Sequence, residues 1–553
     1  MSLHTGEMEP IPELTRRLAK GSFPKGTLAM RLRDHLGTIY QEEDFADLFA
    51  HRGRGGYDPR RLALVLVLQA LENLSDVQAA EMVRGRLDWK YALALEPDDT
   101  GFDASVLTYF RERLVQAGAQ ERILDPLLRV CREQGLLKEA GKQRLDSTMV
   151  LANARRLSSL ESLGETVRMA LNTWAESEPE WVLGVVDEGW FDRYVHRFEL
   201  ARFPKEKSQQ EALKEQVGKD AWNLIQAARA PQAPETLQGD PLVQMLERIW
   251  MQHFEWKEGA IRWRDGPSVC NGERIVNPYD PQARESRKRD TDWLGYKLHV
   301  METSDENEPV HLVTQVAVTQ ATEGDQEKMH HLQPSPGSMA PRVQELEVDS
   351  GYVTGENLVD LADDDIQVIG PVLPDTSWQA KQGYGRDQFQ VDWQEHEATC
   401  PAGAKSQAWI PHEDPRGYGT IQVRFAAQTC QVCPVKVLCT TSKKGGRTIT
   451  LHGRQEVEEA LQQRRRDQRT PEFLTRYARR SGIEGTIAQA VKMGMRHARS
   501  RGKDTIFLQA SCIAAAINVA RLNDYFVRTQ VGLPPRRTRT PSPFARLRPV
   551  KAA

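Results

Sequence analysis

Gln344-Glu-Leu-Glu-Val-Asp349-Ser-Gly-Tyr352 reads as a short strand, Gln344 to Val348, that ends by delivering an aspartate into a Ser-Gly turn. Downstream, a helical pattern from Gly355 to Ala362 leads to a further strand, Ile366 to Val372. Upstream, a helix is expected over Glu323 to Leu332, preceded by strands at Tyr296 to Glu302 and Leu312 to Val318. Far earlier, a β-prone run, Leu145 to Leu151, carries a second aspartate, Asp146. Strands first, a helix, and then strand and helix in alternation predict an α/β domain. One aspartate sits on its first strand and the other just past its fourth.

A third acid, Glu484, lies in Tyr477-Ala-Arg-Arg480-Ser-Gly-Ile-Glu484. On a helix, positions i, i+3 and i+7 put its ring, guanidinium and carboxylate on one face. Carboxylates are hard oxygen donors, and three of them on rigid elements suit a pair of divalent cations about 3.5 to 4 Å apart, as two-metal phosphoryl transfer requires. Each acid also has a plainer reading. Asp146 could cap a turn through Ser147, Asp349-Ser-Gly is an ordinary turn, and Glu484 could pair only with Arg480. Glu323, Asp325 and Asp363-Asp-Asp365 read as a helix start and a solvated turn, and are left out of the site.

Together with Asp280-Pro-Gln-Ala-Arg284, Gly295-Tyr-Lys-Leu-His299, the cysteines around Cys433 and the segment Gln509 to Arg521, these contexts resemble the DDE transposases of bacterial insertion sequences. The Tyr-x2-Arg-x3-Glu signature is present, and the resemblance is to the branch with a cysteine cluster. It implies a ribonuclease H-like catalytic core in which Asp146, Asp349 and Glu484 are catalytic and hold two Mg2+ or Mn2+ ions. The implied activity is DNA cleavage at element ends and strand transfer into target DNA, by a homodimer that pairs two ends of double-stranded DNA. Tyr477 and Arg480 are expected at the DNA backbone, where a guanidinium suits bidentate phosphate contact. The extended signature has a lysine seven residues after the glutamate, but Val491 stands there. Lys492 follows one step later, rotated by about 100° around a helix, so Lys492 or Arg496 is expected to substitute. Two other readings stay open: a ribonuclease H-like nuclease without strand transfer, and a zinc-stabilised DNA-binding protein whose catalytic centre has decayed.

The 553-residue chain carries a net charge of −3, with 39% hydrophobic and 27% charged residues, a globular composition. Its longest strictly apolar run, Leu62 to Leu68, falls far short of the roughly 20 residues that span a bilayer. Met1 to Thr27 lacks the apolar core of a signal peptide. No membrane partner and a cytoplasmic, nucleoid-associated location in a bacterium are expected. Cations crowd around Glu484: Arg464, Arg465, Arg466 and Arg469, then Arg476, Arg479 and Arg480, then Arg496, Arg499, Arg501 and Lys503. Such clusters suit phosphate binding along one face, or arginines paired to nearby glutamates. Arg284, Arg287, Lys288 and Arg289 are further candidates for phosphate contact, against an exposed polar loop.

The chain is expected to divide into a helical, DNA-binding region over 1–137, the first parts of the core over 138–155 and 280–373, and a helical insertion over 156–279. A Cys-rich β and loop insertion over 374–450, the core's C-terminal helices over 451–527 and a basic disordered tail over 528–553 complete it. In the first region Asp58-Pro59 opens a buried helix, Arg60 to Asn73, and Ser75-Asp-Val-Gln78 has the form of a capping box. Short helices joined by tight turns fit a helix-turn-helix reader or a plain bundle. Cys400, Cys430, Cys433 and Cys439 follow C-x29-C-x2-C-x5-C, which favours a structural zinc over disulfides, with reduced buried thiols as the alternative. His396 or His412 could replace one of them. Trp378 and Trp393 suit a core role more than the base-stacking role that related transposases give an inserted tryptophan.

Overall fold

A computed structural model describes residues 10–50, 53, 55–264, 266, 268–270, 272–288, 290–329, 337–413 and 419–532. In chain order its strands are β1 (Ala140–Leu151), the hairpin β2 (Phe254–Lys257) and β3 (Ala260–Trp263), β4 (Arg284–Lys288), β5 (Thr291–Thr303), β6 (Val313–Gln320), β7 (Arg342–Glu347) and β8 (Gln367–Ile369). A Cys-rich group follows: β9 (Gln390–Asp392), β10 (Glu397–Thr399), β11 (Ser406–Glu413), β12 (Gly419–Phe425) and β13 (Thr448–His452).

Strand β1 is the axis of a six-stranded sheet. It pairs antiparallel with β5, Asp146 opposite Val300, and parallel with β7, Arg144 opposite Glu347; β8 lies parallel beyond β7. On the far edge of β5, β4 pairs with Thr291–Gly295 and β6 with Tyr296–Glu302. The path β6-β5-β1-β7-β8, antiparallel then parallel, is the strand order of a ribonuclease H-like sheet. Gly295 marks the change of partner on β5, where a Cβ would sit 2.0 Å from the carbonyl oxygen of Val150.

Alternation along the strands sorts the side chains to two faces. Val150, Tyr296, Leu298 and Val300 pack against the helix Lys503–Gln530, whereas Leu145, Met301, Leu346 and Leu361 form the core under the helix Gly355–Asp363. Lys503–Gln530 is long and apolar enough to cross a membrane, but 72% of its apolar window is buried inside the protein. Its Asn518 holds the end of β6, accepting from the Val313 N–H at 2.7 Å and donating to the Val313 carbonyl at 2.8 Å.

The other face of that helix is covered by the N-terminal region. Pro59–Glu72 is apolar almost all round, as a buried helix must be, and one continuous core runs from Ala29 through Leu68 to Leu522. Asp58 caps it through the Arg60 N–H, and the Ser75/Gln78 capping box is formed. The next helix, Asp76–Gly85, turns from it by 111°, within the range of a helix-turn-helix pair.

Between β1 and β4 the chain builds a helical body with its own core, including Trp174, Trp190, Leu224 and Trp250, closed by the β2–β3 hairpin. Within the helical insertion, Glu188–Tyr194 is followed by a 3-10 turn, Leu200–Arg202. Several expected elements come out differently. The helix expected over Glu323 to Leu332 is the single turn Asp325–Lys328, and residues 330–336 lie outside the described residues. The strand ending at Val372 stops at Ile369, before Gly370-Pro371. Lys503–Gln530 runs through the first residues expected in the tail, whose remainder, 533–553, lies outside the described residues.

Candidate active site

Asp146 projects from the middle of β1, Asp349 follows β7 in the parallel strand beside it, and Glu484 rides on the helix Ile483–Ala490. Distant in sequence, the three acids surround one guanidinium. Arg480 Nη2 lies 2.7 Å from Asp146 Oδ2 and 3.9 Å from Asp349 Oδ2, and its Nη1 lies 3.5 Å from Glu484 Oε1. Side-chain exposure rises from 11% at Asp146 to 38% at Asp349 and 63% at Glu484, so the group opens outward from the sheet. The plainer readings hold in part: Asp146 accepts the Ser147 N–H at 2.7 Å, and Asp349 caps its turn through the Gly351 N–H at 2.8 Å.

The electrostatics are those of converging acids. Burial pushes the Asp146 carboxyl up to about 6; Arg480 pulls it down, while Asp349 and Glu484 raise it further. The Tyr477 hydroxyl is raised by burial and by the same three acids; its ring stacks on Phe473. Repelling carboxylates, one nearly buried, are stable only with positive charge among them. Here that charge is Arg480. Among the described residues no group of three or more His, Cys, Asp or Glu side chains is arranged to hold a metal ion. The donor set nevertheless suits a hard divalent ion.

The signature does not lie on one regular helix. Pro471–Tyr477 is α-helical, Ala478–Gly482 is 3-10, Ile483–Ala490 is α-helical again, and Val491–Met495 is a π turn closed by Gly494 at φ 97°. The 3-10 stretch changes the phase between Tyr477 and Glu484, and Arg480 keeps its place beside Glu484 as an i, i+4 neighbour. Lys492 is exposed and sits inside the π turn, where a helix takes up an additional residue.

Most of the surrounding cations are engaged within the protein. Arg476 and Arg479 both pair with Glu345, and Arg479 also reaches Glu306. Arg499 donates to Leu74 and Asn73, and Arg496 to the Met149 carbonyl at 2.9 Å. Arg284 is 5% exposed and donates to the carbonyls of Gly272, Pro281 and Ala283. These bonds brace its loop from inside. Arg287 and Lys288 are exposed on β4, with Arg287 3.6 Å from Asp292; Arg289 lies outside the described residues.

Two groups beside the acids carry no local sequence signal. Arg144 and Glu302, paired at 2.7 Å, lie beneath the signature turn. Asp325, read from sequence as a helix start, accepts from Ser147 at 3.3 Å and Lys297 at 3.0 Å. With Asp349 it lies within 4 Å of where a Cβ on Gly351 would be. Only the pairing of β1 with β5 and β7 reveals these neighbours.

The four cysteines Cys400, Cys430, Cys433 and Cys439 line one cavity at the base of β11–β13. Backbone N–H groups of Ala404 and Arg447 point at the sulfurs of Cys400 and Cys430, at 3.3 and 3.4 Å. Burial raises the Cys439 thiol, and the three other cysteines add to that rise. His396 stacks on Trp409. Trp393 packs edge-on against Trp409, in a core role, and Trp378 is 38% exposed.

Two segments of the chain match known families. Residues 399–523 match the transposase DDE domain, a span that includes the four cysteines and Glu484, and residues 18–113 match a transposase domain (DUF772). No curated protein and no solved structure matches the chain. Both matched segments are similar to domains of transposases, a class of DNA-binding and DNA-cutting enzymes. The longer match is to a DDE domain, and DDE transposase domains generally use divalent metal such as Mg2+.

Proposed function

We propose that Asp146, Asp349 and Glu484 hold two divalent cations, magnesium or manganese, and that the protein uses them to cut DNA at element ends and join the freed ends to target DNA. The observation that carries this reading is the convergence of the three acids on a single guanidinium. The cations would activate a water or a 3′-hydroxyl and stabilise the leaving oxygen during in-line attack on a phosphodiester. Asp146, buried on a paired strand, supplies the rigid ligand; Asp349 and Glu484, more exposed, complete the set from the open side. On this reading Arg480 exchanges the carboxylates for a backbone phosphate, with Tyr477 beside it, and Arg287, Lys288 and Lys492 lie along the strand's path. A homodimer would present two such sites to two ends.

Asp349→Asn on the full chain tests the assignment. Magnesium-dependent nicking of DNA carrying the element's ends should fall by about 10³-fold, the equivalent of several kcal/mol of lost charge stabilisation. Equal cutting by both proteins refutes it. Supplying precut ends separates strand transfer from a nuclease that only cleaves.

The reading extends to a structural zinc on Cys400, Cys430, Cys433 and Cys439. It is supported by four thiols on one cavity and by two backbone N–H groups directed at sulfur. Elemental analysis of the purified chain should find about one zinc per chain, lost in Cys433→Ser; a metal-free protein that melts like the wild type contradicts it.

A further inference from the structure

Glu484 is the least anchored of the three acids. Its side chain is 63% exposed and touches Arg480 at 3.5 Å, so its position is set by the helical segment it rides on. That segment is tied to the sheet by a buried charge network. Arg144, two residues before Asp146 on the same face of β1, donates its Nη1 to the Arg479 carbonyl at 2.8 Å and its Nε to Glu302 Oε1 at 2.7 Å. Glu302, directly opposite Arg144 on β5, is fully buried. Its other oxygen accepts from the Thr486 hydroxyl at 2.6 Å and from Arg521 Nη1 at 2.6 Å. Thr486 is itself fully buried and lies two residues beyond Glu484. Gly482 makes room for the approach: a Cβ there would sit 2.1 Å from Arg144 Nη1.

We propose that Glu302 is a positioning residue for Glu484. With Arg144, Thr486 and Arg521 it locks the signature segment onto the strand that carries Asp146, fixing the separation of the two acids. The proposal rests on the reading of the trio as metal-holding acids. A buried ion pair adds little net stability when compared with apolar packing, but its directional bonds fix one register. Two guanidiniums and a hydroxyl converging on one carboxylate leave the helix little freedom to slide or rotate. A displacement of about 1 Å at a reacting centre can cost about 10²-fold in rate.

The test uses the full-length protein with Mn2+ as the probe. Thr486→Val removes one hydroxyl and keeps both guanidiniums on Glu302, Thr486→Ser keeps the hydroxyl, and Glu302→Gln removes the charge. For each, Mn2+ binding is titrated by calorimetry, alongside nicking of DNA carrying element ends, metal-free binding of that DNA, and thermal melting. In Thr486→Val, Mn2+ affinity should fall about tenfold and nicking about 10- to 100-fold, with DNA binding unchanged and with Thr486→Ser restoring both. Wild-type Mn2+ binding and cutting in Thr486→Val and Glu302→Gln overturn the proposal, as does a lowered melting temperature with Mn2+ affinity untouched. Asp349→Asn separates the two layers. If it loses Mn2+ while Thr486→Val does not, the positioning role fails alone; if it binds Mn2+ like the wild type, the assignment of the acids fails and the positioning role with it.

Discussion

His253 ends the helix Pro241–His253, buried and stacked on Trp263 with ring centroids 5.5 Å apart. Burial, helped by the nearby Arg274 charge, pushes its pKa down from 6.5 to about 4. The folded protein therefore prefers the neutral ring. Unfolded, the ring protonates near its ordinary value, so the stabilisation is fully present above about pH 6.5 and is lost as pH falls through about 4, a swing of about 3 kcal/mol. Denaturant unfolding of the wild type and of His253→Leu at pH 7.5 and 4.5 measures it. The wild type should lose more stability than the variant on acidification; parallel losses refute the role. A lone histidine at a helix end gave no such signal in sequence, because its depressed pKa comes from Trp263 and the hairpin folded over it. Asp146, Asp349 and Glu484 stood out because each sits in a recognisable local context, while Arg144 and Glu302 become partners only through the pairing of β1 with β5.

The strand and helix order of the core could be read because β-prone runs and turn residues announce themselves locally. Asp349 follows its strand as expected, and the Ser75/Gln78 capping box and the buried helix at Pro59–Glu72 form where Ser, Asp and Pro stand. Breaks inside the signature helix could not be read that way. The change to 3-10 geometry at Ala478–Gly482 coincides with Arg144 reaching the Arg479 carbonyl past Gly482, and the π turn ends where Gly494 meets Asn73 of the N-terminal region. Both breaks lie where other elements make contact. The Cys-rich insertion was legible as cysteine spacing, yet that spacing said nothing of the three-stranded sheet β11–β12–β13 that brings the thiols to one cavity.

Across the molecule, the N-terminal helices and the six-stranded sheet are joined through Lys503–Gln530, which packs against β6 on one side and Pro59–Glu72 on the other. Arg31 on Asn523 at 2.7 Å and Arg499 on Leu74 and Asn73 add polar ties across the same junction. Removing residues 1–137 would expose one whole apolar face of that helix, and such surface costs about 25 cal/mol per Å². A chain of residues 138–532 is accordingly expected to lose cooperative melting and to aggregate, as followed by circular dichroism and light scattering. A sharp transition at the full-length temperature would show that the two regions fold independently.

The order of the main core strands and the helices after them, the three acidic contexts and the grouping of cysteines could be read from local sequence, because backbone propensity, caps and turn residues act over a few neighbours. Which acids meet, which arginines are already bonded to glutamates and carbonyls, and what holds Glu484 to its strand were settled by strand register and helix packing. Those depend on contacts between residues hundreds of positions apart.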